Sequence, residues 1–259
     1  MGRLDNQIAI ITGGGSGIGR ACAIKFAQEG ARVLIGDIRD EGAAETVELV
    51  RQAGGECVAV HCDISDEAQV EAMTARCIEV YGGLTALVAA AGTSTRAPFH
   101  ELTLEDWNRI IGINLTGTFL CCRAALRHMM NHGGGSIVTI GSVQSLYILG
   151  AGAPSYKASK AGVMMLARHI AAEYADYGIR ANCVCPGGVR TELMEHMREE
   201  IAQWTSPTKE PLRTYPSPTP LKRSAEPEEI ANVIAFLTSS EASFVTGAVV
   251  MADGGSTAI

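Results

Sequence analysis

One pattern constrains this chain more than any other: short runs rich in Val and Ile alternate with longer amphipathic stretches. The runs are IAIIT (8–12), ARVLIGD (31–37), CVAVHCD (57–63), LTALVAAAG (84–92), SIVTIGS (136–142), RANCVCPG (180–187) and AVVMADGG (248–255). Unbroken apolar runs, as opposed to apolar–polar alternation, mark strands buried on both faces. The stretches near 18–29, 41–53, 66–81, 103–131, 155–177 and 227–239 are long enough for crossover helices. Right-handed crossovers then predict an α/β fold, a doubly wound seven-stranded parallel sheet with helices on both faces.

No composition shift or internal repeat divides the 259 residues, so residues 1–259 are expected to form one domain. The exception is TSPTKEPLRTYPSPTP (205–220), with five of the nine prolines, which cannot be regular helix or central strand. It follows LMEHMREEIAQW (193–204), a short amphipathic helix, and together they suggest a substrate lid at about 190–220. A net charge of −7 and pI of 5.4 exclude a nucleic-acid backbone or anionic membrane surface as the main partner. The N-terminal apolar run is too short for a signal or a span, and no other 18-residue apolar stretch is read, so a cytoplasmic location is expected. The eight cysteines form no CxxC pair and read as buried small hydrophobes. His128 and His132, four apart, read as a helix C-terminus ahead of GGG, so no metal site is expected.

The first strand runs straight into Thr12-Gly-Gly-Gly-Ser-Gly-Ile-Gly19. Gly13, Gly17 and Gly19 allow a sharp turn, close approach of a pyrophosphate and tight helix packing, and the helix N-terminus offers amide donors to phosphates. Asp37 ends the second strand, where a carboxylate accepts from both adenosine ribose hydroxyls and repels a 2′-phosphate, so NAD is expected over NADP. Arg39 is a counter-signal, since a guanidinium welcomes a phosphate. Asp63 ends the third strand in the same way, within reach of an adenine edge.

In SYKASKAGV (155–163), Tyr156 and Lys160 stand one helical turn apart and share a face. A free tyrosine titrates near 10, and a nearby ammonium lowers that value, which makes the pair a tunable acid–base device. Lys157 points about 100° away round the helix. Ser142 ends the fifth strand, at the sheet edge where open parallel sheets bind ligands, and its hydroxyl can orient a carbonyl or alcohol oxygen.

The TGxxxGxG loop and the YxxxK pair together resemble the short-chain dehydrogenase/reductase family in its single-domain, Rossmann-type branch, over nearly the whole chain. The resemblance implies that Ser142, Tyr156 and Lys160 act together, with Asn114 completing a proton relay through water. It extends the cofactor set to Ser16, Ile18, Ile38, Ile64, Ala90, Gly92 and the turn Pro186, Gly187, Val189 and Thr191 beneath a nicotinamide. It also implies a dimer or tetramer built on the long helices. Two departures stand out: the family usually carries an asparagine where Ala89 or Ala90 stands, and the Ser142–Tyr156 stretch is one residue longer, which keeps Ser145 open as a partner.

The chain is thus expected to move hydride between NAD(H) and a secondary alcohol or ketone. Gln144, Leu146, Tyr147, Gly188, Met194, Met197 and Trp204 are the substrate candidates. Their apolar character, with no Arg or Lys cluster, favours an apolar or alicyclic alcohol. An NADPH-dependent 3-ketoacyl-carrier reductase and a non-catalytic NAD(H)-binding sensor are the alternatives.

Overall fold

Seven parallel strands run in the order β3-β2-β1-β4-β5-β6-β7. The computed structural model describes residues 2–148, 152–203 and 219–258. The strands are β1 (Ile8–Thr12), β2 (Arg32–Asp37), β3 (Glu56–His61), β4 (Ala86–Ala89), β5 (Gly135–Ile140), β6 (Ile179–Pro186) and β7 (Val249–Ala252). All seven expected strands are present. The first two strands end where expected, and the last five end one to three residues early; after Ala89 the chain leaves the sheet, and residues 253–255 turn around the Asp253 carboxylate.

The helices are α1 (Gly17–Gln28), α2 (Asp40–Gln52), α3 (Glu67–Tyr81), α4 (Leu104–Ile111), α5 (Thr118–Met129), α6 (Pro154–Glu173), α7 (Glu192–Gln203) and α8 (Pro227–Thr238). Helices α1, α2 and α8 close one face over Val33, Ile35, Val138 and Val184. Helices α3, α5 and α6 close the other over Ile10, Leu34, Leu87 and Ile137. Central strands β1 and β4 are buried at every residue, and edge strands β3 and β7 are only partly covered, as the sequence pattern requires.

The expected helix over 103–131 is interrupted. A π-helical turn, Gly112–Gly117, separates α4 from α5. The Thr118 hydroxyl donates to the Asn114 carbonyl at 2.7 Å, and a Cβ on Gly117 would lie 2.7 Å from Ile64 Cδ1. Side-chain competition for a carbonyl and close packing at glycine both favour a local change in helical winding. The run Leu104–Met129 is also long and apolar enough to meet the criterion for a membrane span, contrary to the reading of no such stretch. Its apolar window is 56% buried in the fold, as in a core helix.

The strand order reverses between β1 and β4, so the loops after these strands diverge and open a crevice at their carboxyl ends. The glycine loop, Gly92 and Ser142 follow the carboxyl ends of β1, β4 and β5, and Pro186 is the last residue of β6.

Candidate active site

The glycine loop is too tightly packed for side chains. A Cβ on Gly19 would lie 2.0 Å from the Gly13 carbonyl oxygen, and Gly13 adopts φ of +67° with its Cβ position 2.8 Å from Ala91. Thr191 Cγ2 lies 3.1 Å from the Cβ position of Gly17, so the segment after β6 rests on the loop. Ser16 precedes the first turn of α1, and Ile18 lines the adjoining cavity.

Asp37 is buried, and its Oδ2 accepts from the Gly15 amide at 2.8 Å while Oδ1 accepts from the Arg39 amide at 2.9 Å. Each carboxylate oxygen retains a second lone pair for a ribose hydroxyl. Ile38 beside it is exposed, offering an apolar surface to an adenine. Asp63 Oδ1 is taken by the amide and hydroxyl of Ser65, which start the turn into α3, and Ile64 is buried beneath Gly117. The glycine cradle and the strand-end carboxylate together fit a dinucleotide.

Arg39 is not an idle cation. Its guanidinium donates to Ser16 Oγ at 2.6 Å and to Glu192 Oε2 at 2.6 Å, and its Nε lies 4.0 Å from Asp37 Oδ1. Glu192 opens α7, so this pair ties the adenosine end of the crevice to that helix.

A cavity of about 210 Å³ lies at the other end, lined by Ser142, Tyr156, Lys160, Gln144, Ala90, Gly92, Pro186, Gly187, Gly188, Val189, Thr191, Met194 and Met197. Val143 and Leu193 also line it, though the sequence did not single them out. A cleft of about 490 Å³ lies between residues 220–225 and 251–255 but shares only Gly188 with this site, and none of the proton-transfer groups line it. Tyr147 and Leu146 are among the exposed residues and do not line this cavity. The 3₁₀ turn at Val143–Ser145 directs them outward. Trp204 lies outside the described residues.

Tyr156, Ser142 and Lys160 are all buried. Lys160 Nζ donates to the Ile140 carbonyl at 2.8 Å and lies 5.8 Å from the Tyr156 ring centroid. Burial pulls the Lys160 ammonium down to about 8. Burial raises Tyr156 above its ordinary value, while the Ser142 hydrogen bond and the charge of Arg96 oppose that rise. A phenol stripped of water resists ionisation unless a cation faces it directly, and the lysine instead turns to a strand carbonyl.

Ser145 is not the exposed partner. Its hydroxyl accepts from the Ser142 amide at 3.1 Å and holds that backbone in place, while Ser142 Oγ accepts from the Gln144 amide at 3.1 Å. Asn114 is fully buried and does not line the cavity. Its side chain accepts from the Thr93 amide at 2.8 Å and donates to the Thr93 carbonyl at 2.8 Å and to Ser159 Oγ at 3.0 Å. A Cβ on Gly92 would meet Asn114 Oδ1 at 3.2 Å and Lys160 Nζ at 3.3 Å, so both groups border one point beside that glycine. Where the family's asparagine is replaced, Thr12 Oγ1 accepts from the amides of Ala90 and Ala91 at 3.1 and 3.2 Å and braces β1 against β4.

Among the described residues no cluster of three metal-ligating side chains exists. His128 and His132 stack on each other at 3.9 Å, and the His132 ring contacts the His128 carbonyl.

A glycine-cradled crevice at the reversal of an open parallel sheet, joined to a buried Ser–Tyr–Lys cluster, defines the class of nicotinamide-dependent oxidoreductases. A family model described as enoyl-(acyl carrier protein) reductase matches residues 13–257. A cis-4-hydroxycyclohexanecarboxylate dehydrogenase from Sinomonas cyclohexanicum is 42% identical over 98% of this chain and 97% of its own. A 2,5-dichloro-2,5-cyclohexadiene-1,4-diol dehydrogenase from Sphingobium indicum is 36% identical over 98% and 97%. The crystal structure of levodione reductase superposes with a TM-score of 0.92 at 34% identity, covering 99% of this chain and 100% of that one. The chain belongs to the short-chain dehydrogenase/reductase family, and it is an oxidoreductase that interconverts an alcohol and a ketone.

Proposed function

We propose that this enzyme oxidises an alicyclic secondary alcohol with NAD⁺, or reduces the matching ring ketone with NADH. The observation carrying this reading is the cavity in which Ser142 and Tyr156 face apolar side chains, Val143, Leu193, Met194 and Met197 among them. Two of the relatives named above act on hydroxylated six-membered rings, which supports the same class.

When bound, a nicotinamide supplies the hydride acceptor or donor. Tyr156 takes the hydroxyl proton in oxidation and returns it in reduction. Ser142 hydrogen-bonds the substrate oxygen and fixes the reacting carbon in front of the phenol. Lys160 holds the ribose and favours the phenolate once turned toward it, and Asn114 keeps the loop after β4 against this group. Asp37 selects NAD, aided by Arg39, whose charge is already committed to Glu192. The segment from about 190 to 220, beginning with α7, acts as the lid. Exposed Phe119 on α5 and Met165 on α6 are apolar surface suited to a dimer or tetramer interface, and a cytoplasmic location accords with the absence of any disulfide among the cysteines.

The test is initial rates with NAD⁺ and NADP⁺ across cyclic, aliphatic, steroidal and sugar alcohols. Preference for NAD⁺ and a ring alcohol is expected, and a preference for NADP⁺ would remove the Asp37 argument. Tyr156→Phe should lower kcat at least ~10³-fold with NADH affinity within about threefold of wild type, as loss of an acid–base group predicts.

A further inference from the structure

Most of the wall around Ser142 and Tyr156 is apolar, and the other polar side chains on it are already engaged. Lys160 Nζ donates to the Ile140 carbonyl at 2.8 Å. Thr191 Oγ1 accepts from the Met194 amide at 3.3 Å, and its methyl stands against Gly17 on the glycine-loop side. Gln144 differs from both. It lines the same cavity, is half-buried, and its side-chain carboxamide meets no hydrogen-bond partner among the described residues. The backbone that carries it is fixed. Gly141 packs against β6 so closely that a Cβ there would lie 2.8 Å from both Cys183 Sγ and Cys185 Sγ. Beyond it the Ser145 hydroxyl accepts from the Ser142 amide at 3.1 Å, and Ser142 Oγ accepts from the Gln144 backbone amide at 3.1 Å. The root of the Gln144 side chain is therefore set at a constant distance from the hydroxyl that orients the reacting oxygen. A ligand filling this cavity strips water from the carboxamide, and a purely apolar one leaves it unsatisfied.

We propose that Gln144 is a specificity-determining residue whose carboxamide receives a second, uncharged oxygen of the substrate. The preferred substrate is then a ring diol or a hydroxyketone, not a ring alcohol with one oxygen. This rests on the reading of the cavity as the site of an alicyclic alcohol. A carboxamide both donates and accepts, so it pairs with a hydroxyl or a carbonyl. Lys160 is the one cation among the residues lining the cavity, and its ammonium is turned to Ile140, so a charged substituent finds no counter-ion there. One oxygen of the substrate meets Ser142 and Tyr156 while the other is held by Gln144.

The test is calorimetric binding of alcohols to the NADH-loaded enzyme, where the reduced cofactor accepts no hydride and nothing turns over. The tightest-binding of the three positional cyclohexanediols should bind wild type about tenfold better than cyclohexanol, roughly 1.4 kcal/mol by the affinity relation. In Gln144→Met, of similar length and without the amide, the preference should fall to about twofold, the statistical advantage of two hydroxyls, with cyclohexanol affinity within about threefold of wild type. Gln144→Glu keeps the shape and an acceptor for a donating hydroxyl, and should retain a preference of about fivefold. A wild-type preference of about twofold or less, an equal loss of both alcohols in Gln144→Met, or tighter binding of hydroxycyclohexanecarboxylate than of the diol would overturn the proposal. Open-chain hexanediols separate the second oxygen from the ring. If one binds as tightly as the ring diol and with the same dependence on Gln144, the second-oxygen site stands and the alicyclic reading alone fails.

Discussion

At the scale of single residues, the site is governed by burial acting on charge. Lys160 is held at about 8 against an ordinary 10.5 because its ammonium is removed from water, where it donates to the Ile140 carbonyl. Below pH 8 both folded and unfolded chains carry this proton, and the folded state bears the full desolvation cost. Between 8 and 10.5 the unfolded chain keeps a proton the folded one has released, so this group's contribution to stability improves as pH rises. Lys160→Met should therefore be inactive but more stable at pH 7, by ~1–3 kcal/mol, with the gap closing toward pH 10.5. Denaturant melts of both proteins across that range check it. Tyr156 is displaced in the opposite chemical sense, since burial favours the neutral phenol. Alcohol oxidation, which needs a proton acceptor, is expected to accelerate with rising pH, and ketone reduction to slow.

At the scale of elements, two contacts decide what the crevice admits. The first is the seat of α1 on the glycine loop. Because a Cβ on Gly19 would fall 2.0 Å from the Gly13 carbonyl oxygen, Gly19→Ala must push the helix off the loop. A destabilisation of about 3 kcal/mol or more is expected, with loss of NADH fluorescence enhancement. The second is the Arg39–Glu192 pair, which joins the turn after β2 to the start of α7. Glu192→Gln frees the guanidinium to meet a 2′-phosphate, so kcat/KM for NADP⁺ should rise roughly 3–10-fold while that for NAD⁺ changes little. Parallel kinetics with the two cofactors read this directly. The π-helical turn at 112–117 belongs to this scale too: residue spacing alone predicts a continuous helix, and only the packing of Gly117 on Ile64 and the Thr118 hydrogen bond show why it yields.

At the scale of the molecule, the last crossover is anchored by Arg180, alongside Ser136 and Asn182. The Arg180 guanidinium donates to the carbonyls of Leu237, Thr238, Ser239 and Val245 at 2.8 to 3.2 Å, fixing the C-terminus of α8 to β6. Those carbonyls are the unsatisfied end of a helix and its exit turn, where a cation is most favourable. Arg180→Met should lower stability by about 2–4 kcal/mol, seen as a lower denaturant midpoint at unchanged slope. The sequence by itself determined the seven strands, their parallel pairing, the glycine loop, Asp37 and the Ser142, Tyr156 and Lys160 set. Each is encoded locally, by residue periodicity or by fixed spacing along a single turn, strand end or helix. Tertiary structure decided the rest: that Lys160 faces Ile140, that Ser145 supports Ser142 from behind, and that Tyr147 is exposed. Contacts between distant segments depend on how helices and loops pack across the sheet, and no spacing within a short window carries that information.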